Sequence, residues 1–181
     1  MSEQIRERLA RVQEQIAQAA QRAGRNAENV TLIAVSKTFD PTIVQKAVDA
    51  GTLELGENRV QEAVPKAAQV KGGVRWHLIG HLQSNKVKPA VETFAVIQTI
   101  DSVKLAERVD RIAGELGKRP KVLVQVDLAQ EPTKSGADER ELASIVEALD
   151  SARNLEFRGL MVLPPFFGSP EQARPYFRKV R

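Results

Sequence analysis

The stretch VTLIAVSKTF, residues 30–39, brings a lysine, Lys37, to the point where an apolar run ends. A lysine leaving a buried strand has a desolvated stem. Burial disfavours the ammonium, lowers its pKa and makes the free amine available. A free amine condenses with an aldehyde to a Schiff base. The same side chain kept charged would bind a phosphate or carboxylate, and one that only snorkels to water would do neither. Position alone leaves all three readings open.

Other residues able to do chemistry are few. His77 and His81 stand four apart, a metal-binding spacing on a helix. WHLIGH reads instead as a strand ending at Gly80, so the imidazoles need not converge, and no third ligand lies nearby. The chain has no cysteine, which excludes disulfides, thiolate metal sites and a cysteine nucleophile. Glu57, Arg59 and Glu62 are expected to form an ion-pair network at a rim. GENR offers backbone amides at a helix start, but no glycine-rich phosphate loop of the usual form is present.

These residues need elements to hold them. Ile5, Leu9, Val12 and Ile16 fall at helical spacing, with Gly24 to end the helix. Asp40-Pro41 is a cap followed by a first-turn proline, and Gly51 closes that segment. Asn58 opens a helix through RVQEAVPKAAQV, which Pro65 should kink or shorten. Ser102 caps a stripe of Leu105, Val109, Ile112 and Leu116, stopped by Gly117. Asp138 with Glu141 makes a capping box before Leu142, Ile145, Val146 and Leu149. Ser169-Pro170 starts a last helix, with Gln172 at the box position.

Between the helices lie VTLIAVS, LELGE, VRWHLIG, FAVIQTI, KVLVQVD and FRGLMVL. Their apolar character is near-continuous, which suggests parallel strands covered on both sides. Strand–helix alternation of this kind predicts an α/β fold, a (β/α) barrel or a doubly wound sheet, in one domain over residues 1–181. Polar residues follow the same end of each run: Lys37, then Glu57-Asn58-Arg59, His81 and Gln83, Asp101-Ser102, and Asp127. Ligands sit at the carboxyl ends of strands in such folds, so the site is expected at that rim.

Composition narrows the function classes. Apolar residues make up 42% and charged residues 28%, an ordinary globular balance. The net charge is +4, but basic residues alternate with acidic ones, as in AERVDRIAGELGKRPK. No basic-aromatic run is present to stack bases, so a nucleic-acid partner is not expected. No apolar run is long enough to span a bilayer, and the start, MSEQIRERLARVQ, lacks a signal-peptide apolar region. The cytoplasm is the expected location, with no membrane partner.

The words AVSKT, LGENRVQE, WHLIGHLQSNK, IDS, VLVQVDLAQEPTKSG and GLMVLPP occur in this order along the chain. Together they resemble the pyridoxal phosphate homeostasis protein family, whose members look like the barrel domain of alanine racemase standing alone. The resemblance implies a TIM-type (β/α) barrel and binding of pyridoxal 5'-phosphate (PLP). It matches Lys37 to the lysine that holds PLP as a Schiff base, and Asn58 and His77 to residues lining the cofactor pocket. It implies a PLP carrier or buffer without established catalysis, a monomer, with PLP-dependent apoenzymes as candidate recipients. The alternative is a PLP-dependent, racemase-like enzyme. A racemase needs an acid–base residue on each face of the substrate carbon, and the one tyrosine, Tyr176, lies in the terminal helical stretch. Asp127 stands where many relatives have asparagine, and Lys134 with Gly136 matches a family KxG loop that could close over the site.

About six of the eight strands of a barrel are legible, followed by a helix running to Arg181. In the family the remaining stretch holds the phosphate and approaches the ring nitrogen. The expectation is therefore a chain whose first and sixth strands have open edges, and which binds PLP weakly for want of the phosphate anchor.

Overall fold

The computed structural model describes residues 2–128 and 136–180. A long first helix, α1 (Ser2–Arg22), precedes β1 (Ala34–Val35). Then come α2 (Pro41–Asp49), β2 (Glu54–Glu57), α3 (Val60–Gln69), β3 (Arg75–Leu78), α4 (Val87–Thr93) and β4 (Val96–Ile100). They are followed by α5 (Val103–Glu115), β5 (Lys121–Val126), α6 (Leu142–Asp150), β6 (Glu156–Val162) and α7 (Arg174–Lys179). The six strands form one parallel sheet in the order β1-β2-β3-β4-β5-β6. That order decides between the two α/β alternatives. A doubly wound sheet reverses direction at a switch point, whereas strands laid down one after another are the winding of a barrel.

The sheet's outward side carries the core. Leu55, Leu78, Ile97, Ile100, Val122 and Val124 are buried there against Val44, Val60, Val87, Val109 and Ile145 of the helices. Each such side chain contributes about 1.5–3 kcal/mol by leaving water. The alternate residues of the same strands face the barrel axis. Burial on both sides holds for β2–β5 but not at the ends: Val35 of β1 is 46% exposed, and β6 has no fully buried residue. Among the described residues β1 pairs only with β2 and β6 only with β5, so the continuous apolar run of residues 30–36 overstated the burial of the first strand.

Most helix signals act as written. Asp40 accepts from the Thr42 N–H, and Ser102 Oγ from the Leu105 N–H. Gly24 and Gly51 take positive φ just past their helices. Three do not. Arg59 rather than Asn58 is the N-cap of α3, without a side-chain cap. Pro65 sits inside α3 without shortening it. It forfeits one N–H bond, while the buried face of Val60, Ala63 and Lys66 keeps the helix on the sheet. Asp138 accepts from the Arg140 N–H and grips its guanidinium instead of boxing with Glu141, and α6 starts at Leu142 with Glu141 as its uncapped N-cap. The sequence reading also missed α4, where Pro89 lies in the first turn and so costs no intrahelical bond.

Candidate functional site

Lys37 follows β1 immediately, where the chain leaves the sheet. The Ser36 N–H still donates to Gly56 O (2.9 Å), and the Phe39 N–H returns to Ser36 O (3.2 Å). Residues 36–39 thus make one tight turn, in which Thr38 takes φ +66°, an unusual conformation for a β-branched residue. Lys37 itself is exposed. The expected desolvated stem is not found: the axis-facing side of β1 is open, as the exposure of Val35 also shows.

The buried lysine is a different one, Lys66 of α3, only 3% exposed. Its ammonium has three hydrogens and three acceptors: Ser36 O (2.8 Å), Glu57 Oε1 (2.7 Å) and Glu62 Oε1 (3.1 Å). Ser36 Oγ donates to the same Glu57 oxygen (2.7 Å), and the Thr38 N–H donates to Glu62 Oε1 (2.6 Å). That amide first, and the Lys66 ammonium second, hold the Glu62 carboxyl below the usual range. Glu57 is fully buried, and its Oε2 has no hydrogen-bond partner among the described residues. The expected network of Glu57, Arg59 and Glu62 is therefore real for the two acids, but its cation is Lys66, and Arg59 is exposed. The signal was available in part, since Glu62 and Lys66 stand at i,i+4.

Asn58 follows β2 at the same rim. Strands β2 and β3 come so close there that a Cβ on Gly80 would lie 2.2 Å from Asn58 O. Asn58, Arg59, Gly80, His81, Gln83 and Lys86 line an open recess of 590 Å3. His81 Nδ1 lies 3.3 Å from Asp101 Oδ2. On the far side of the rim, Asp127 N donates to Ala137 O (3.0 Å), and a Cβ on Gly136 would meet Asp127 N at 2.7 Å. Lys134, of the expected KxG loop, lies outside the described residues.

His77 is elsewhere. It pairs in register with Gly56, which is itself level with Val35. That places it two residues, about 7 Å, below Lys37 along the strand direction. It lines a separate groove of 720 Å3 at the amino ends of the strands, with Glu54, Arg75, Gln98, Lys121 and Arg158. Neither Lys37 nor Asn58 lines that groove. The ring is neutral: Nε2–H donates to Glu54 Oε2 (2.7 Å), and Nδ1 accepts from the Gln98 amide (3.0 Å). Burial first, then the charges of Arg75 and Lys121, bring its pKa from 6.5 to about 4. Glu54 would favour the charged ring, but it is shared with Arg75, and burial outweighs it. The structure thus brings Lys37 and Asn58 to one rim and sets His77 beneath them. Among the described residues no group of three His, Cys, Asp or Glu is placed to hold a metal, and no helix is long and apolar enough to cross a membrane.

The family model described as the alanine racemase N-terminal domain matches residues 8–181. A protein of Aquifex aeolicus named pyridoxal phosphate homeostasis protein is 38% identical over 176 residues, 97% of this chain and 77% of that one. One of the same name from Escherichia coli K12 is 40% identical over 165 residues, covering 88% and 70%. Among solved structures, PipY of Synechococcus elongatus PCC7942 with PLP bound superposes with a TM-score of 0.83 at 38% identity, over 97% of this chain and 78% of that one. Alanine racemase of Clostridium difficile 630 shares the fold, with a TM-score of 0.66 at 14% identity, over 81% of this chain and 41% of that one.

Proposed function

Because the chain belongs to the family of the alanine racemase N-terminal domain and, within it, to the pyridoxal phosphate homeostasis proteins, we propose that it holds PLP covalently through Nζ of Lys37. The observation that carries the reading is an exposed lysine on a tied turn at the carboxyl end of β1, in a chain that superposes on PLP-bound PipY. The amine fits the aldehyde of the group. Lys37 takes part in no ion pair among the described residues, so its amine is open to a carbonyl.

PLP, when bound, would supply an aldehyde able to condense with an amine, with loss of water. Lys37 presents the amine. Asn58, across the rim just after β2, is the polar wall beside it. His77, two residues below, belongs to the groove at the amino ends and stands under this rim, fixed by Glu54 and Gln98.

The reading is of a holder rather than a catalyst. Tyr176, the chain's one tyrosine, lies on α7 with its ring 5.5 Å from that of Phe167. The holder works in the cytoplasm as a monomer, keeping PLP for PLP-dependent apoenzymes. The test is borohydride trapping. PLP at millimolar concentration, followed by reduction and peptide mass mapping, should label Lys37 in the unmodified chain and leave Lys37→Ala unlabelled at that peptide. Equal labelling of other lysines with Lys37 spared would overturn the assignment. Turnover of an amino acid by the loaded protein would overturn the non-catalytic reading.

A further inference from the structure

The geometry points to Lys66 as the positioning residue for Lys37, acting with Glu62 and Glu57 to fix the backbone on both sides of that amine. The inference rests on the reading that Lys37 carries the aldehyde. Lys37 has one neighbour on each side, and each is tied to the same buried charge cluster. Ser36 is held at three atoms: its N–H by Gly56 O, its Oγ by Glu57, and its carbonyl by Lys66. Thr38 is held through its N–H by Glu62. Ser36 Oγ is turned toward Glu57 and α3, and Lys37 follows it as the first central residue of the turn closed by Phe39 N–H on Ser36 O.

Stability is a poor explanation for this arrangement. A carboxylate and an ammonium, Glu57 and Lys66, taken out of water carry a large desolvation cost, and well-packed apolar residues often do as well. Here the cost is higher, because Glu57 Oε2 is buried without a partner. Thr38 adds strain through its left-handed φ of +66°. What these costs accompany is a turn tied at residues 36 and 38, on either side of an exposed lysine. Condensation needs the amine in one place relative to the carbonyl, and only the backbone is available to put it there.

Glu62 gives the cleanest test, because it is only half-buried and its loss leaves the Glu57–Lys66 pair intact. Glu62→Ala removes the acceptor of the Thr38 amide. Glu62→Gln keeps an acceptor oxygen and removes the charge. Two readouts are taken: hydrogen exchange of the Thr38 amide without any aldehyde present, and the yield of PLP trapped on Lys37 by borohydride. Glu62→Ala should speed Thr38 exchange and lower trapping, each about 10-fold, the equivalent of one charge-assisted hydrogen bond. Glu62→Gln should recover most of both. Lys66→Met should lower trapping further. An exposed control on α5, Glu115→Ala, should change neither.

Unchanged Thr38 exchange in Glu62→Ala would overturn the clamp, whatever Lys37 does. So would faster exchange with trapping intact in both Glu62→Ala and Lys66→Met, or Glu62→Gln behaving like Glu62→Ala. If the unmodified chain is never labelled on Lys37, the functional reading fails on its own evidence, and the exchange data still judge the clamp.

Discussion

The two ends of the sheet each carry a buried polar cluster, and the clusters work differently. At the carboxyl end, Lys66 spends all three donors on Ser36 O, Glu57 and Glu62, and the result is a fixed loop. At the amino end, His77 sits between Glu54 and Gln98 at the edge of an open groove, uncharged, with two cations nearby. The carboxyl-end cluster ties the backbone of Ser36 and Thr38 to charged side chains, whereas the amino-end cluster holds an imidazole whose pKa burial brings down to about 4. The first end is built to hold geometry, and the second is where acid is felt.

The largest expected effect breaks the first cluster. Lys66→Met removes the cation and leaves Glu57 buried and uncompensated, a change that typically costs about 3–5 kcal/mol. Denaturant unfolding should show a loss near 3 kcal/mol. A loss under about 1 kcal/mol would mean that the Lys66 contacts hold little of the fold, and the contrast between a geometric cluster and a titrating one would disappear.

The second prediction sharpens the other side. The folded pKa of His77 is about 4 against 6.5 when unfolded. The unfolded chain therefore binds the extra proton first. Stability is full above about pH 7, falls as pH drops from 6.5 toward 4, and gains no further loss from this group below that. At about 1.4 kcal/mol per pH unit, and with one side of the groove open to water, the loss should be about 2 kcal/mol. It should be absent from His77→Gln measured over the same window. Carboxylates such as Glu62, whose pKa is lowered, add their own loss only at lower pH, so the difference between the two chains isolates the imidazole.

What could be read in advance divides along the same line. All six strands and most caps were legible, because each depends on neighbours in sequence: Ser102 finds Leu105, and Asp40 finds Thr42. Periodicity narrowed the order of the strands to two windings, and the family resemblance chose the barrel, which is the order found. The carboxyl-end polar residues were legible as a rim because parallel strands bring every such end together. Lys66 was not, since a lysine in an amphipathic helix reads as solvated and its partners Ser36 and Glu57 lie 30 and 9 residues away. Pro65, one residue before it, drew attention to a helix break that tertiary packing overrides. The exposure of Lys37 was also missed. Hydrophobicity gives the burial of a strand only when both of its faces and edges are covered, and those of β1 are not.

The smallest effect is the most specific. Arg75 is mostly exposed, yet it shares Glu54 with His77 and is the second cause of that ring's low pKa. Arg75→Ala should cost well under 1 kcal/mol, as exposed ion pairs do. Its consequence should appear in the titration of His77. Removing the cation takes away repulsion of the imidazolium and leaves Glu54 to the ring alone, so the pKa must rise. Proton NMR of the ring should show the midpoint moving up from about 4 toward the ordinary 6.5, with the acid loss of stability shrinking in step. No such change should reach the carboxyl end: the Thr38 amide, held by Glu62, should exchange as in the unmodified chain. A shift at Thr38 would mean that the two clusters are coupled through β2, which carries Glu54 at one end and Glu57 at the other. The separation of a geometric end from a titrating end would then have to be given up.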